Sequence, residues 1–336
     1  MISRFRFKRL VLLILMIIFV AGCSTNVNPS KESPKELQKL KLMLDWYPNA
    51  VHSFLYVAKE KGYFKEQGID VEFVMPAETN DPLRLVAAHQ VDMALSYQPE
   101  IISAIDKGIP VVAVASIVNH PLNVLLVPKD SNIQSPKDLE GKTIGYPSIP
   151  MNEALVKTMI KHAGGDPQKI KMVDVGWDLM PALSTRKVNA ISGGFLNHEE
   201  ILLNKEGFKV KEFYPTDYGV PNYSELMLVT SQEGWKQKSD LIQKFWKAAQ
   251  KGQEEVRKNP KVSLEILLKQ QKKEFPLDPD VETQSLQKLL PFMKVQGHEF
   301  GWQSKEQWEK VQQWLYDYQL INSKHSVESM FVSFVN

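Results

Sequence analysis

Leu40–Val74, LKLMLDWYPNAVHSFLYVAKEKGYFKEQGIDVEFV, reads as strand, loop, helix, turn, strand. Leu40, Leu42 and Leu44 alternate with Lys41 and Met43 in a short apolar run, the pattern of a mostly buried strand. Asp45-Trp46-Tyr47-Pro48-Asn49 follows as a polar and aromatic loop. Val51, Phe54, Leu55 and Ala58 then recur at the spacing of an apolar helix stripe that covers a sheet. Gly62 stops this helix, Gly68 turns the chain, and Ile69, Val71 and Phe73 alternate with Asp70 and Glu72 as a second strand. A strand–helix–strand crossover of this length gives parallel strands, and ligands in such sheets sit beyond the strands' carboxyl ends. The loop containing Asp45, Trp46 and Asn49 lies at that edge, so it is expected to form one wall of a ligand site.

Working outward, the same alternation continues. Strands are expected at Val91–Ser96, Val111–Ser116 and Asn123–Val127, with helices opening at Asp81-Pro82 and Pro99. Further strands fall at Lys142–Tyr146, Ile170–Val175 and Val188–Gly193, with helices at Met151–Ala163 and near Asp178–Ser184. Ser224–Thr230 is a last strand, and from Gln232 the chain is largely helical. This is an α/β fold. A globular part near 300 residues exceeds what one core usually holds, so two lobes are expected. The expected layout is a first lobe over 40–127, a second over 128–223, and a return to the first over 224–336. Crossings near Val127 and Ser224 would form the hinge. Five of the seven tryptophans lie outside the site strands or in the tail helices and are read as core packing.

At the amino terminus, Arg4, Arg6, Lys8 and Arg9 precede an apolar run from Leu10 to Val20, then Ala21-Gly22-Cys23. A basic head, a short apolar segment and small residues at the cut make a secretory signal, and a cut before cysteine is the pattern of bacterial lipoproteins. Residues 1–22 are thus expected to be removed, with Cys23 as the lipid attachment site and 23–39 as a flexible tether. Eleven apolar residues are too few to span a bilayer comfortably. Losing four cations takes the formal charge from +2 to near −2, so no nucleic-acid partner follows from basicity. Cys23 is the only cysteine, and none of the seven histidines pairs with another at metal-ligand spacing, so no metal or cofactor is expected. Nucleotide-binding loops, GxGxxG, HExxH and GxSxG are absent from the sequence.

The strand-end residues suit a neutral or cationic planar heterocycle. Trp46, Tyr97 and Tyr146 each follow a strand and can stack on a flat ligand. Glu199, in Phe195-Leu196-Asn197-His198-Glu199-Glu200, can pair with ring nitrogen and exocyclic amine edges. Asn49, Ser148 and Asn197 supply further donors and acceptors. His52, one turn into the first helix, either faces the cleft or is a satisfied structural histidine. Tyr223 and Glu225, near the second crossing, rank below these.

LDWYPNAVH followed by VAKEKGYFKEQGIDVEF resembles the solute-binding proteins for thiamin pyrimidine precursors, relatives of the fungal enzymes that make the thiamin pyrimidine. The resemblance runs from about Leu40 to about Thr230, through VDMALSY, SPKDLEGKTIGYPSIP and SGGFLNHE. Beyond Thr230 only helical character matches. It implies a two-lobe periplasmic-binding-protein-like fold of type II, each lobe a mostly parallel sheet flanked by helices, with ligand in the inter-lobe cleft. It implies a formylated aminopyrimidine as ligand, Glu199 as the residue that reads its ring, and an ABC importer's permease and ATPase as partners. The fungal synthases carry a lysine for pyridoxal phosphate in the segment matching Ala94–Tyr97, a nearby histidine, and a cysteine-rich run matching Gly219–Leu228. Here Ser96 and Glu100 stand at the first two positions and the last holds no cysteine, so a binder rather than an enzyme is expected. A sulfonate- or nitrate-type binder is the alternative. It would want cations in the cleft, and the strand-end loops offer no cluster of Arg or Lys.

Overall fold

The computed structural model describes residues 36–335, so the signal, Cys23 and most of the tether lie outside it. The opening stretch folds much as its pattern dictates. Strand β1 (Gln38–Met43) leads through the Asp45–Asn49 loop and one 3-10 turn into helix α1 (Ser53–Glu60). A short helix α2 (Tyr63–Glu66) intervenes before β2 (Ile69–Val74), which pairs parallel to β1 along its whole length. Gly62 and Gly68 both have positive φ (78° and 74°), which a residue without a side chain adopts at little cost.

The chain continues through α3 (Asp81–Ala87), β3 (Met93–Ser96), α4 (Gln98–Asp106) and β4 (Val111–Val118). It then crosses to β5 (Asn123–Pro128), β6 (Thr143–Tyr146), α5 (Pro150–His162), β7 (Lys171–Asp174), α6 (Leu179–Ser184), β8 (Ala190–Phe195), α7 (Glu199–Lys205) and β9 (Val210–Phe213). Strand β10 (Leu226–Ser231) returns, followed by α8 (Gln232–Lys258), α9 (Pro260–Leu268), α10 (Pro279–Leu289) and α11 (Lys305–Asp317).

Two five-stranded sheets result, ordered β2-β1-β3-β10-β4 and β7-β6-β8-β5-β9. Each has one antiparallel member, and in each it is the strand that has just crossed between lobes. β10 runs antiparallel to β3 and β4, and β5 runs antiparallel to β8 and β9. The first crossing therefore lies between Val118 and Asn123, not near Val127. β5, expected to close the first lobe, belongs to the second sheet. Its residues are all buried, and such an apolar run carries no record of which sheet will take it.

The main core covers the first sheet. All eight residues of β4 are buried, as are Leu40 and Leu42 in β1. Trp246 and Trp308 pack there at 1% and 0% exposure, as expected for the tail tryptophans. Among the described residues no helix is long and apolar enough to cross a membrane.

Candidate functional site

The loop after β1 is held from within. Asn49 caps the 3-10 turn, accepting from the Val51 N–H at 3.1 Å, while the Asn49 N–H donates to His52 Nδ1 at 3.2 Å. An accepting Nδ1 leaves the ring hydrogen on Nε2, which donates to Asp45 Oδ1 at 2.9 Å. Asp45 Oδ2 accepts from the Tyr97 hydroxyl at 3.2 Å. Burial, then the adjacent Asp45 carboxylate, pushes the Tyr97 pKa upward, so this phenol stays a donor. His52 is fully buried behind the loop, which decides the open question in favour of a structural histidine that fixes Asp45.

A cleft lies between the sheets' carboxyl edges, with about 550 Å³ of empty space, its mouth included. From the first lobe Asp45, Trp46, Asn49, Val51 and Tyr97 line it. From the second come Asn123, Pro147, Asn152, Gly193, Phe195 and the loop Asn197-His198-Glu199. Ile149 and Met151 add an apolar wall, and Glu225, at the second crossing, completes the lining. Six of the nine expected ligand residues are thus brought together: Asp45, Trp46, Asn49, Tyr97, Asn197 and Glu199. The other three do not line the cavity. Besides His52, Tyr146 and Ser148 flank Pro147 on the side away from it. Ser148 bonds both Asp174 carboxylate oxygens at 2.6 Å. Strand β6 ends at Tyr146, and Ser148 has φ 59°, so the chain turns there and the Ser148 hydroxyl is spent on Asp174.

A polar floor joins the second-lobe residues. Asn123 Nδ2 donates to Asn152 Oδ1 at 2.6 Å, and the Gly193 N–H donates to Asn123 Oδ1 at 2.9 Å. Gly193 has φ 99°, and a Cβ there would sit 2.7 Å from Pro147 Cδ.

Four carboxylates stand around the cavity. Asp45 is engaged by His52 and Tyr97. Glu199 accepts from the Phe195 N–H at 2.9 Å and pairs with His198 Nδ1 at 3.0 Å. Glu282, from α10, accepts from the Ala50 N–H at 2.6 Å and meets His198 Nε2 at 3.3 Å. Glu225 takes the Leu122 and Asn123 N–H groups and the Tyr223 hydroxyl on one oxygen, at 2.6, 2.8 and 3.1 Å. Its other oxygen, Oε1, is buried without a partner among the described residues, as are Asn197 Oδ1 and Trp46 Nε1. Burial opposes a charge on His198, but Glu199 and Glu282 outweigh it and push its pKa up to about 10. It is an imidazolium at neutral pH, and it bridges the lobes. Among the described residues no Lys or Arg lines the cavity, so carboxylates outnumber cations there.

The rims also touch across the cleft. Thr79 Oγ1 donates to the Pro147 carbonyl at 2.6 Å, and the Trp46 and Trp177 rings lie 4.1 Å apart. Asn197 Nδ2 donates to Ser285 Oγ at 2.9 Å. Sequence reasoning missed Trp177, though it follows β7 as Trp46 follows β1 and the same strand-end rule would have found it. Asn123, Asn152 and Glu282 carried no such signal. Ala50 and Glu282 are 232 positions apart and meet only in the fold.

The NMT1/THI5-like family profile matches residues 49–263. The chain is 42% identical to the formylaminopyrimidine-binding protein of Halalkalibacterium halodurans, over 97% of this chain and 98% of that one. It is 27% identical to the 4-amino-5-hydroxymethyl-2-methylpyrimidine phosphate synthase THI11 of Saccharomyces cerevisiae, over 66% and 68% of the two chains. In fold it resembles the alkanesulfonate-binding protein SsuA from Xanthomonas axonopodis pv. citri bound to MOPS. There the TM-score is 0.69 at 14% identity, over 88% of this chain and 99% of that one.

Proposed function

Because the chain belongs to the NMT1/THI5-like family, we propose that it binds a formylated aminopyrimidine and hands it to an ABC importer's permease and ATPase for salvage into thiamin. The carrying observation is the charge and hydrogen-bond balance of the cleft. Asp45, Glu199, Glu225 and Glu282 face or back the cavity, against one cation, His198. Two of its unpartnered atoms, Glu225 Oε1 and Asn197 Oδ1, are acceptors. Such a lining asks for a ligand rich in N–H groups, and an amino-substituted ring offers them beside a flat face for Trp46 and Phe195. A sulfonate would bring a further anion into this acidic pocket at a cost in desolvation and repulsion, which disfavours that reading. The synthase reading is disfavoured by Ser96, whose hydroxyl cannot form the Schiff base a lysine makes.

The proposal places the protein on the outer face of the cell membrane, held by acyl chains on Cys23. A thermal-shift panel tests the ligand class. Aminopyrimidines should raise the melting temperature, while alkanesulfonates and thiamin leave it in place. Stabilisation by sulfonates alone would overturn the reading.

A further inference from the structure

We propose that Glu225, rather than Glu199, is the carboxylate that takes the ligand's exocyclic amine, through its oxygen Oε1. The inference rests on the aminopyrimidine reading of the cleft and deepens it. Of the four carboxylates around the cavity, three have both oxygens engaged by the chain itself. Asp45 holds His52 and Tyr97, Glu199 holds Phe195 and His198, and Glu282 holds Ala50 and His198. Glu225 alone divides its work. Three donors converge on Oε2, and the side chain is fully buried. They fix its orientation and leave Oε1 buried with no partner among the described residues, on a side chain that belongs to the cavity lining. A buried acceptor left unpaired costs about 1–3 kcal/mol, and a ligand N–H removes that cost.

The surroundings fit the role. Burial pushes the Glu225 pKa up to about 7, with Asp45 adding to the rise and the three Oε2 donors opposing it. Its ordinary solvation is gone, so a donor supplied by the ligand meets little competition from water. Asn197 Oδ1, the second unpartnered acceptor, belongs to the opposite lobe. An amine carries two N–H groups, enough for one acceptor from each side. Glu225 also ties the two crossings together, since it ends the second crossing just before the return strand and holds the backbone of Leu122 and Asn123 at the end of the first.

The test is a two-by-two comparison by titration calorimetry. Wild type and Glu225→Gln are each titrated with N-formyl-4-amino-5-aminomethyl-2-methylpyrimidine and with its analogue bearing hydrogen in place of the 4-amino group. Wild type should prefer the amino ligand by roughly ten- to a hundredfold. In Glu225→Gln that preference should collapse to within about threefold, while Glu199→Gln keeps it. Equal weakening of both ligands would mark Glu225 as a hinge support only and overturn the proposal, as would an unchanged preference. If Glu225→Gln does not fold, Glu225→Asp keeps a carboxylate for the backbone donors, withdraws it from the cavity by one methylene, and is held to the same criterion. Failure of the wild type to bind either pyrimidine would instead overturn the ligand reading itself, and this inference with it.

Discussion

His198 shows how one residue's chemistry is decided by partners far along the chain. Its own loop supplies Glu199, and α10 supplies Glu282. The folded pKa, about 10, lies above the ordinary value of 6.5. The folded state therefore holds this proton more tightly than the unfolded chain. The resulting stability is fully present below pH 6.5 and is lost as pH rises through about 10. The melting temperature should accordingly fall between pH 7 and 10, and the fall attributable to this group should vanish in His198→Gln. Removing the cation also leaves two buried carboxylates without their counter-charge, so His198→Gln should cost about 3–5 kcal/mol in urea unfolding at neutral pH. A loss below about 1 kcal/mol would mean that the bridge contributes little. Glu199 was expected to read the ring; it lines the cavity with each oxygen already paired once, and the role proposed for Glu225 gives it a supporting part. Glu199→Gln should register first in stability.

At the scale of elements, the site loop depends on how closely two helices approach behind it. α8 packs on α1 through Gly252, where a Cβ would lie 2.1 Å from the Phe54 carbonyl oxygen and 2.9 Å from Ala58 Cβ. There is no room for a methyl group, and α1 follows directly from the loop that carries Asp45, Trp46 and Asn49. Gly252→Ala should destabilise by about 1–3 kcal/mol through overpacking, despite alanine's better helix propensity. Denaturant unfolding measures this, and a variant as stable as wild type would show that the helices can slide apart freely. Element order and most boundaries were legible because apolar period, glycine stops and Pro at helix starts act locally. Strand direction was not. β5 and β10 are buried apolar runs like their neighbours, and only the crossings decide that they run antiparallel.

For the whole molecule, the contacts Thr79–Pro147, Trp46–Trp177 and His198–Glu282 draw the lobes together over the cleft. Two crossings, 119–122 and 214–225, are the natural hinge. In solution scattering, ligand-free protein should show a larger radius of gyration than ligand-saturated protein, and an identical profile at saturation would argue for a rigid site. Glu282→Gln, which weakens the bridge, should favour the wider form. At the other end of the chain, intact-mass analysis of the membrane fraction should find Cys23 as an acylated first residue. Release of the wild type into the medium as readily as Cys23→Ser would remove the anchor, since stable attachment needs two or more chains.

The sequence by itself determined the α/β order, the place of the ligand loop at a strand's carboxyl end, and six residues of the cavity wall. These follow from periodicities and turn chemistry that act within a few residues. Only the tertiary structure decided which strand-end side chains face inward, turning Tyr146 and Ser148 away while Pro147 lines the cleft. It alone brought Glu282 to His198 and left one oxygen of Glu225 unpaired. Whether a buried polar atom is satisfied depends on partners that can lie far along the chain, as Glu282 does from Ala50 and Glu225 from Leu122, and no local pattern records which atoms will be left free.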